Sequence, residues 1–269
     1  MHTPVLLQQA IENLNVKSGG KYIDAAYGEG GYSQEIIKQG GRVLGIDLDI
    51  NQIKNQKSKI QNLNLIQGNF ADIEKLAKKN NFFPADGVVF DLGLSMRQIN
   101  ESGRGFSYNK PNEPLDMRLS LDSELTALNL IKKLNENELY EIFAKNSEEL
   151  KSREIAREVK RRKRIEIVYD LTSAIDRVLG FKSNSTYARI FQALRISVND
   201  ELENLKKGLE GAVRVIKKEG RIVVVSFHSL EDRIVKNFVR NTDLRFLKKK
   251  PIRGIRLFER SAKLRTIIK

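Results

Sequence analysis

The sequence contains no cysteine. That excludes disulfides, a cysteine nucleophile and any thiolate metal site. Only two histidines occur, His2 and His228, so a multi-histidine metal centre is excluded as well. No apolar run approaches the roughly 20 residues that span a bilayer. The opening stretch "MHTPVLLQQAIENL" has no basic region followed by an apolar core, so no secretory signal is expected. These absences predict a cytoplasmic chain without metal and without a membrane partner.

The 269 residues suffice for one large domain or two small ones with a real core. Hydrophobic residues make up 40% and charged residues 30%, which fits a folded chain and not a disordered one. Lysine and arginine number 48 against 34 acidic residues, a formal charge of +14. Such an excess attracts polyanions: RNA, DNA or an anionic membrane. The abundance of Asn, Lys and Ile is also what an AT-rich genome produces, so the location of the charge matters more than its total.

From residue 20 the pattern alternates between strand and helix. "KYIDAAYG", "RVLGIDLD", "NLNLIQGNF" and "ADGVVFDLG" read as strands. "SQEIIKQ", closed by Gly40 and Gly41, then "INQIKNQKSKI" and "DIEKLAKKN" read as the helices between them. This alternation marks a parallel sheet covered by helices on both faces. It stops at residues 96–118, which are loop-like, and residues 122–195 carry helical stretches only. There "SEELKSREIAREVKRRKR" reads as one helix with Ser147 as its N-cap and Glu148 and Glu149 in the first turn. Leu202, Leu205, Leu209, Ala212, Val213 and Ile216 then recur at helical spacing, with Gly220 as the expected stop. "RIVVVSF" follows as a buried strand and "HSLEDRIVKNFVR" as a helix. The chain therefore reads as an α/β domain over 1–115 and 197–269, interrupted by a helical insertion over 116–196.

The stretch "DAAYGEGGYS", residues 24–33, is a strand entering a glycine turn that opens a helix. Gly28, Gly30 and Gly31 permit a tight turn and a close approach of ligand to backbone. Asp47 follows at the end of the second strand, near the spacing at which an acid reaches ribose hydroxyls. Two adenosine ligands fit, a nicotinamide dinucleotide and S-adenosylmethionine, beside an ordinary glycine turn. The dinucleotide pattern wants a third glycine where Ser33 stands. Asp91, in "FDLGLS", ends the fourth strand at the edge where open α/β sheets bind ligands. It suits a methionine amino group or a substrate amine, and it equally suits a cap or turn.

In this order the chain carries "HTPVLL", "GEGGYS", "GIDLD", "FDLGLSMRQI", "RGFSY", "PLDMRLS", "ARIFQALRISVNDEL", "SFHSLEDRIVK" and "RSAKLR". Together these resemble the MraW family of bacterial 16S ribosomal RNA cytosine-N4 methyltransferases over nearly the whole chain. The resemblance implies a Rossmann-like class I S-adenosylmethionine-dependent methyltransferase with an inserted all-helical, substrate-recognising domain. It implies methylation of the exocyclic amine of one cytosine in the decoding region of 16S rRNA, within the small ribosomal subunit. Cofactor contacts carried over by the resemblance are Gly30, Gly31, Tyr32, Asp47, Phe70, Asp91 and Gln98. The chain departs from the family pattern at Tyr32, where many relatives carry histidine, at Glu29, and at Met96-Arg97 in place of Ser-Pro. Monomer and dimer both remain open.

Methyl transfer from a sulfonium is an in-line displacement that needs positioning more than acid–base machinery. The cytosine amine is a poor nucleophile because its lone pair is delocalised into the ring. Acceptors for its N–H bonds localise that pair. Asp91 is the candidate acceptor. The base must leave its stack to reach the cofactor. Arg104 and Phe106, with Tyr108, read as a lid or base-stacking loop, or as a loop packed on the insertion. Arg195 is a further candidate RNA contact. His228, with Ser229, Glu231 and Asp232, reads either as a group that orients RNA or cytosine or as a helix start capped by Ser229. Basic segments at 151–164 and 246–265 read as rRNA phosphate contacts or as solvated faces. The competing functions are a nicotinamide-dependent oxidoreductase, a methyltransferase of another RNA amine, and a non-catalytic RNA-binding assembly factor.

Overall fold

The computed structural model describes residues 4–54, 60–256 and 259–269. His2 and Thr3 of the opening motif, the second half of the helix read over 50–60, and Leu257 and Phe258 of the C-terminal basic segment lie outside the described residues. The chain divides into two compact units, residues 1–94 with 202–269, and residues 95–201.

The first unit begins with α1 (Leu7–Leu14) and β1 (Lys21–Asp24), then α2 (Gly31–Lys38), β2 (Arg42–Asp47) and α3 (Ile50–Lys54). β3 (Leu63–Gln67), α4 (Ile73–Lys79) and β4 (Ala85–Asp91) complete its first half. The second unit holds α5 (Met96–Glu101), α6 (Ala127–Lys133), α7 (Glu136–Ser147), α8 (Ser152–Arg161), α9 (Val168–Leu179) and α10 (Asn184–Asn199). The chain then runs through α11 (Glu201–Val215), β5 (Ile216–Ser226) and α12 (Ser229–Arg240). It closes with β6 (Arg245–Phe246), β7 (Ile252–Arg253) and β8 (Lys263–Ile268).

The strands form one sheet in the order β3-β2-β1-β4-β5-β8-β6, with β7 also paired to β8. Pairings from β3 through β5 are parallel, and β8 runs antiparallel to β5. The chain winds outward from β1 in both directions, so strand order reverses between β1 and β4. This is a Rossmann-like α/β fold, and its topological switch point opens a crevice at the carboxyl ends of those strands.

Side-chain alternation explains why the strands are apolar on both faces. Ile222 and Val224 of β5 join one buried cluster, with Phe90 of β4 and Leu205, Leu209 and Ala212 of α11. Val223 and Val225 join the other, with Ile11 and Leu14 of α1 and Ile36 of α2. A sheet buried on both sides reads as a continuous apolar run, as "RIVVVSF" does. α11 ends at Val215, before Gly220, and β5 begins at once. The pairing of β4 with β5 slips between Ala85 and Gly87, and Glu219, not Gly220, takes the positive φ of 62°. A bulge absorbs the stretch that periodicity alone would give to the helix.

In the second unit α7 packs on α8 and α10, and α8 packs on α9. Ser147 closes α7 and does not cap α8. Its hydroxyl donates back to the Phe143 carbonyl, and Glu148 turns the chain with φ 56°. Residues 95–115 belong to this unit, so its start lies before the expected 116. The Arg104 guanidinium donates to the carbonyls of Arg118 (2.8 Å) and Leu119 (3.1 Å). Asn199 receives the Leu119 N–H (2.7 Å) and donates to the Met117 carbonyl (2.8 Å). Hydrogen bonds thus knit the motifs "RGFSY", "PLDMRLS" and "RISVN" together. Among the described residues no helix is long and apolar enough to cross a membrane.

Candidate active site

Three adjacent parallel strands of the first unit end in aspartate: Asp47 on β2, Asp24 on β1 and Asp91 on β4. The strand interiors are apolar, so the first polar side chain past the core falls at the carboxyl edge, which is the switch-point crevice. Asp24 is fully buried. Its Oδ2 accepts the Ser33 hydroxyl at 2.7 Å, while Oδ1 lacks a hydrogen-bond partner among the described residues. Burial pushes its pKa up to about 6 against the pull of Ser33, and the charge of Asp47 adds to the rise.

Asp47 accepts the Gly28 N–H and the Asp49 N–H, each at 2.8 Å. Burial lifts it to about 6 despite those bonds. The Asp91 Oδ1 is buried and without a partner among the described residues. Burial, then the charges of Asp24 and Glu231, hold the Asp91 carboxyl well above the usual carboxylate range. The charges that act on Asp91 therefore share its sign. A buried group of this kind awaits a donor or a cation.

The glycine turn is built for protein packing as well. Gly30 has φ 79°, and a Cβ there would stand 2.4 Å from the Tyr27 hydroxyl oxygen. A Cβ on Gly31 would stand 2.0 Å from Pro4 Cγ. The side-chain space over these two glycines is thus filled by Tyr27 and Pro4. Tyr32 is buried, and its hydroxyl donates to the Val5 carbonyl, so that hydroxyl is already engaged. Phe70 follows β3 and stacks edge-on against Phe90, with centroids 5.6 Å apart.

His228, not Ser229, is the N-cap of α12. Its Nδ1 accepts the Glu231 N–H at 3.4 Å, and Glu231 Oε2 accepts the Phe227 N–H at 2.7 Å. Asp232 and Arg265 form a buried ion pair (2.6 Å) that joins "SFHSLEDR" to "RSAKLR". Although burial raises the Asp232 pKa, the Arg265 guanidinium brings it below the ordinary value.

The remaining sequence-predicted residues lie in the second unit. The Gln98 side chain accepts the Ser95 N–H in a capping box at the start of α5. Arg104 and Phe106 are buried, each 8% exposed, with the guanidinium 5.4 Å from the Phe106 ring. They form a structural core of the loop and not an open stacking platform. Arg195 is held in a two-pronged ion pair by Glu201 (2.9 and 3.0 Å). Its charge serves the fold.

Asp24 is the acid at this edge that the sequence reading leaves out, whereas Glu231 stands in the cluster already read around His228. Asp24 lay in plain view, as the last residue of a strand pattern before a glycine turn. A separate cleft of about 340 Å³, lined by Arg42, Asn62, Asn64, Asn80, Asn81 and Phe82, lies at the amino ends of β2 and β3. It holds none of these acids.

A profile of the MraW methylase family matches residues 1–268. The chain is 40% identical over 254 residues to a ribosomal RNA small subunit methyltransferase H of Dictyoglomus thermophilum, covering 90% of this chain and 84% of that one. It is 41% identical over 254 residues to the protein of that name from Carboxydothermus hydrogenoformans, covering 90% and 81%. It is 40% identical over 252 residues to the one from Mycoplasma mycoides subsp. mycoides SC, covering 90% and 82%. A profile match along almost the entire chain, with relatives aligned over most of their own lengths, means that the chain belongs to the MraW methylase family.

Proposed function

We propose that the chain transfers the methyl group of S-adenosylmethionine to the N4 amine of a single cytosine in the decoding region of 16S rRNA, within the small ribosomal subunit. Three aspartates on neighbouring strand ends, two of them with an unpartnered buried oxygen, support a ligand rich in donors and positive charge. S-adenosylmethionine fits that donor set with an ammonium, a sulfonium and two ribose hydroxyls. Asp47 would hold the ribose, the Gly30 and Gly31 backbone would approach the methionine, and Phe70 would lie beside the adenine. Tyr32 supports the loop through Val5. The bound cofactor supplies an electrophilic methyl on sulfur.

The observation that carries the reading is the Asp91 Oδ1, a buried acceptor with no partner among the described residues. It accepts one N–H of the cytosine amine and draws the lone pair out of the ring. Its raised pKa makes it a competent acceptor for the proton that leaves as the N–C bond forms. For the rRNA backbone, the exposed cations Lys248, Lys249, Lys250 and Arg253 supply phosphate contacts.

The test is a methyl-transfer assay with labelled cofactor and unmethylated small subunits, followed by nucleoside mass analysis. Label recovered as N4-methylcytidine at one site is the expected result. Cofactor binding with no label in rRNA would overturn the substrate assignment.

A further inference from the structure

His228 is set by its surroundings in a way the methyl-transfer reading leaves unused. Its Nδ1 accepts the Glu231 N–H, which occupies the lone pair on that nitrogen. In a neutral imidazole the proton then sits on Nε2, which becomes a donor. The side chain is only 10% exposed, and Nε2 has no hydrogen-bond partner among the described residues. It lies 3.0 Å from Glu231 Oε1, yet off the line that a hydrogen bond requires. A buried donor left in this state costs free energy unless a ligand completes it.

The second orphan is close by in the fold. Asp91 pairs with Val225 in the β4–β5 register, and His228 stands three residues beyond Val225. Glu231 links the two: it flanks the imidazole and acts electrostatically on Asp91. The carboxyl ends of two neighbouring strands thus present an unpartnered acceptor on Asp91 and an unpartnered donor on His228.

We propose that His228 donates from Nε2 to the ring N3 of the target cytosine while Asp91 accepts from its N4 amine, so that the pair reads the base by its Watson–Crick edge. This rests on the methyl-transfer reading above. Cytosine offers a donor at N4 beside an acceptor at N3. Uracil and guanine offer the reverse, a carbonyl beside an N–H, and would face acceptor with acceptor and donor with donor. A site built to bond a polar group strongly rejects an analogue that lacks it.

The test uses single-turnover transfer to small subunits carrying either cytidine or 3-deazacytidine at the target. The analogue keeps the amine and replaces N3 by C–H. Ser and Asn both cap helices, so His228→Ser and His228→Asn keep α12 closed. Ser caps with an oxygen whose O–H is too short to reach the place of Nε2, and Asn retains an N–H that extends further. Melting temperature and cofactor affinity are measured alongside.

The expected result is that wild type prefers cytidine over the analogue by about 10- to 100-fold. His228→Ser should lose about as much on cytidine and barely distinguish the two substrates, with cofactor affinity unchanged. His228→Asn should regain part of both rate and discrimination. A purely structural cap would leave both variants equally active and equally selective, which would overturn the inference while the methyl-transfer reading stands. Wild type that binds cofactor yet methylates no cytosine amine would overturn both.

Discussion

Two stretches carry dense positive charge, and they use it in opposite ways. Between residues 151 and 164, in the second unit, nearly every cation is engaged. Glu158 alone meets Arg161 (2.8 Å), Arg162 (3.1 Å) and Arg177 (3.6 Å). Arg157 meets Glu136, Arg164 meets Glu166, and Arg153 lies over the Tyr140 ring at 3.9 Å. Lys160 donates to the Ile131 carbonyl at 2.9 Å. In the first unit, Arg245, Lys248, Lys249, Lys250 and Arg253 are exposed and form no ion pair or side-chain hydrogen bond among the described residues. The first stretch spends its charge within its own fold. The second leaves its charge exposed.

The carboxylates divide in the same way. Asp232 and Asp116 are matched by Arg265 and Arg118, which bring their pKa values below the ordinary range against the upward push of burial. Asp24, Asp47 and Asp91 have no such cation among the described residues, and theirs are raised. Where charge is matched it builds structure, and where it is left over it marks a ligand. Each prediction below tests that rule.

The largest effect falls on Asp24. Folded, it takes up its proton near pH 6, and unfolded near 3.8. Between those values the folded chain holds more protons, so stability falls as pH rises, and the full cost is present above pH 6. That cost is at most about 3 kcal/mol. Asp24→Asn removes it, so denaturation should find the variant more stable than wild type at pH 7.5. The gap should close toward pH 4. A gap of constant size, or a variant that is less stable at pH 7.5, would break the rule for acids.

Next come the free cations. Replacing Lys248, Lys249, Lys250 and Arg253 by Gln should weaken binding to 16S rRNA about 10- to 100-fold. It should also flatten the salt dependence by about three counterions, with unfolding free energy within about 0.5 kcal/mol of wild type. The smallest effect on RNA belongs to the matched segment. Arg157→Gln with Arg161→Gln should change RNA affinity by no more than about threefold at moderate salt. Equal losses from the two sets, read by filter binding across a salt series, would erase the comparison.

Much of the fold was legible because strand–helix alternation is a local signal. The same holds for Asp47 and Asp91, since a polar residue ending an apolar strand can only face the sheet edge. Asp24 is identical in kind, but the glycines beside it drew the reading toward the loop. Other features depend on partners far along the chain. Loop composition suggests that Arg104 is exposed. Only the fold brings the Arg118 and Leu119 carbonyls to its fork of donors. Arg195 finds Glu201 six residues on, across a left-handed turn at Asp200 that no helical spacing rule anticipates. Ser147 precedes two glutamates, as an N-cap often does, yet Glu148 adopts a positive φ and ends the helix there. A histidine as cap is likewise outside the usual preference for Ser, Thr, Asp and Asn.

The central claim is that the aspartates at the ends of β1 and β2 hold a donor-rich cationic cofactor beside Asp91. Calorimetric titration of the full chain with S-adenosylmethionine tests it most directly. One molecule should bind per chain, more tightly at pH 7.5 than at pH 5, because Asp24 and Asp47 ionise near 6. Asp47→Asn should weaken binding about 10-fold or more at pH 7.5, the scale of a hydrogen bond to a charged group. Binding that ignores both pH and the Asp47 substitution would contradict the account.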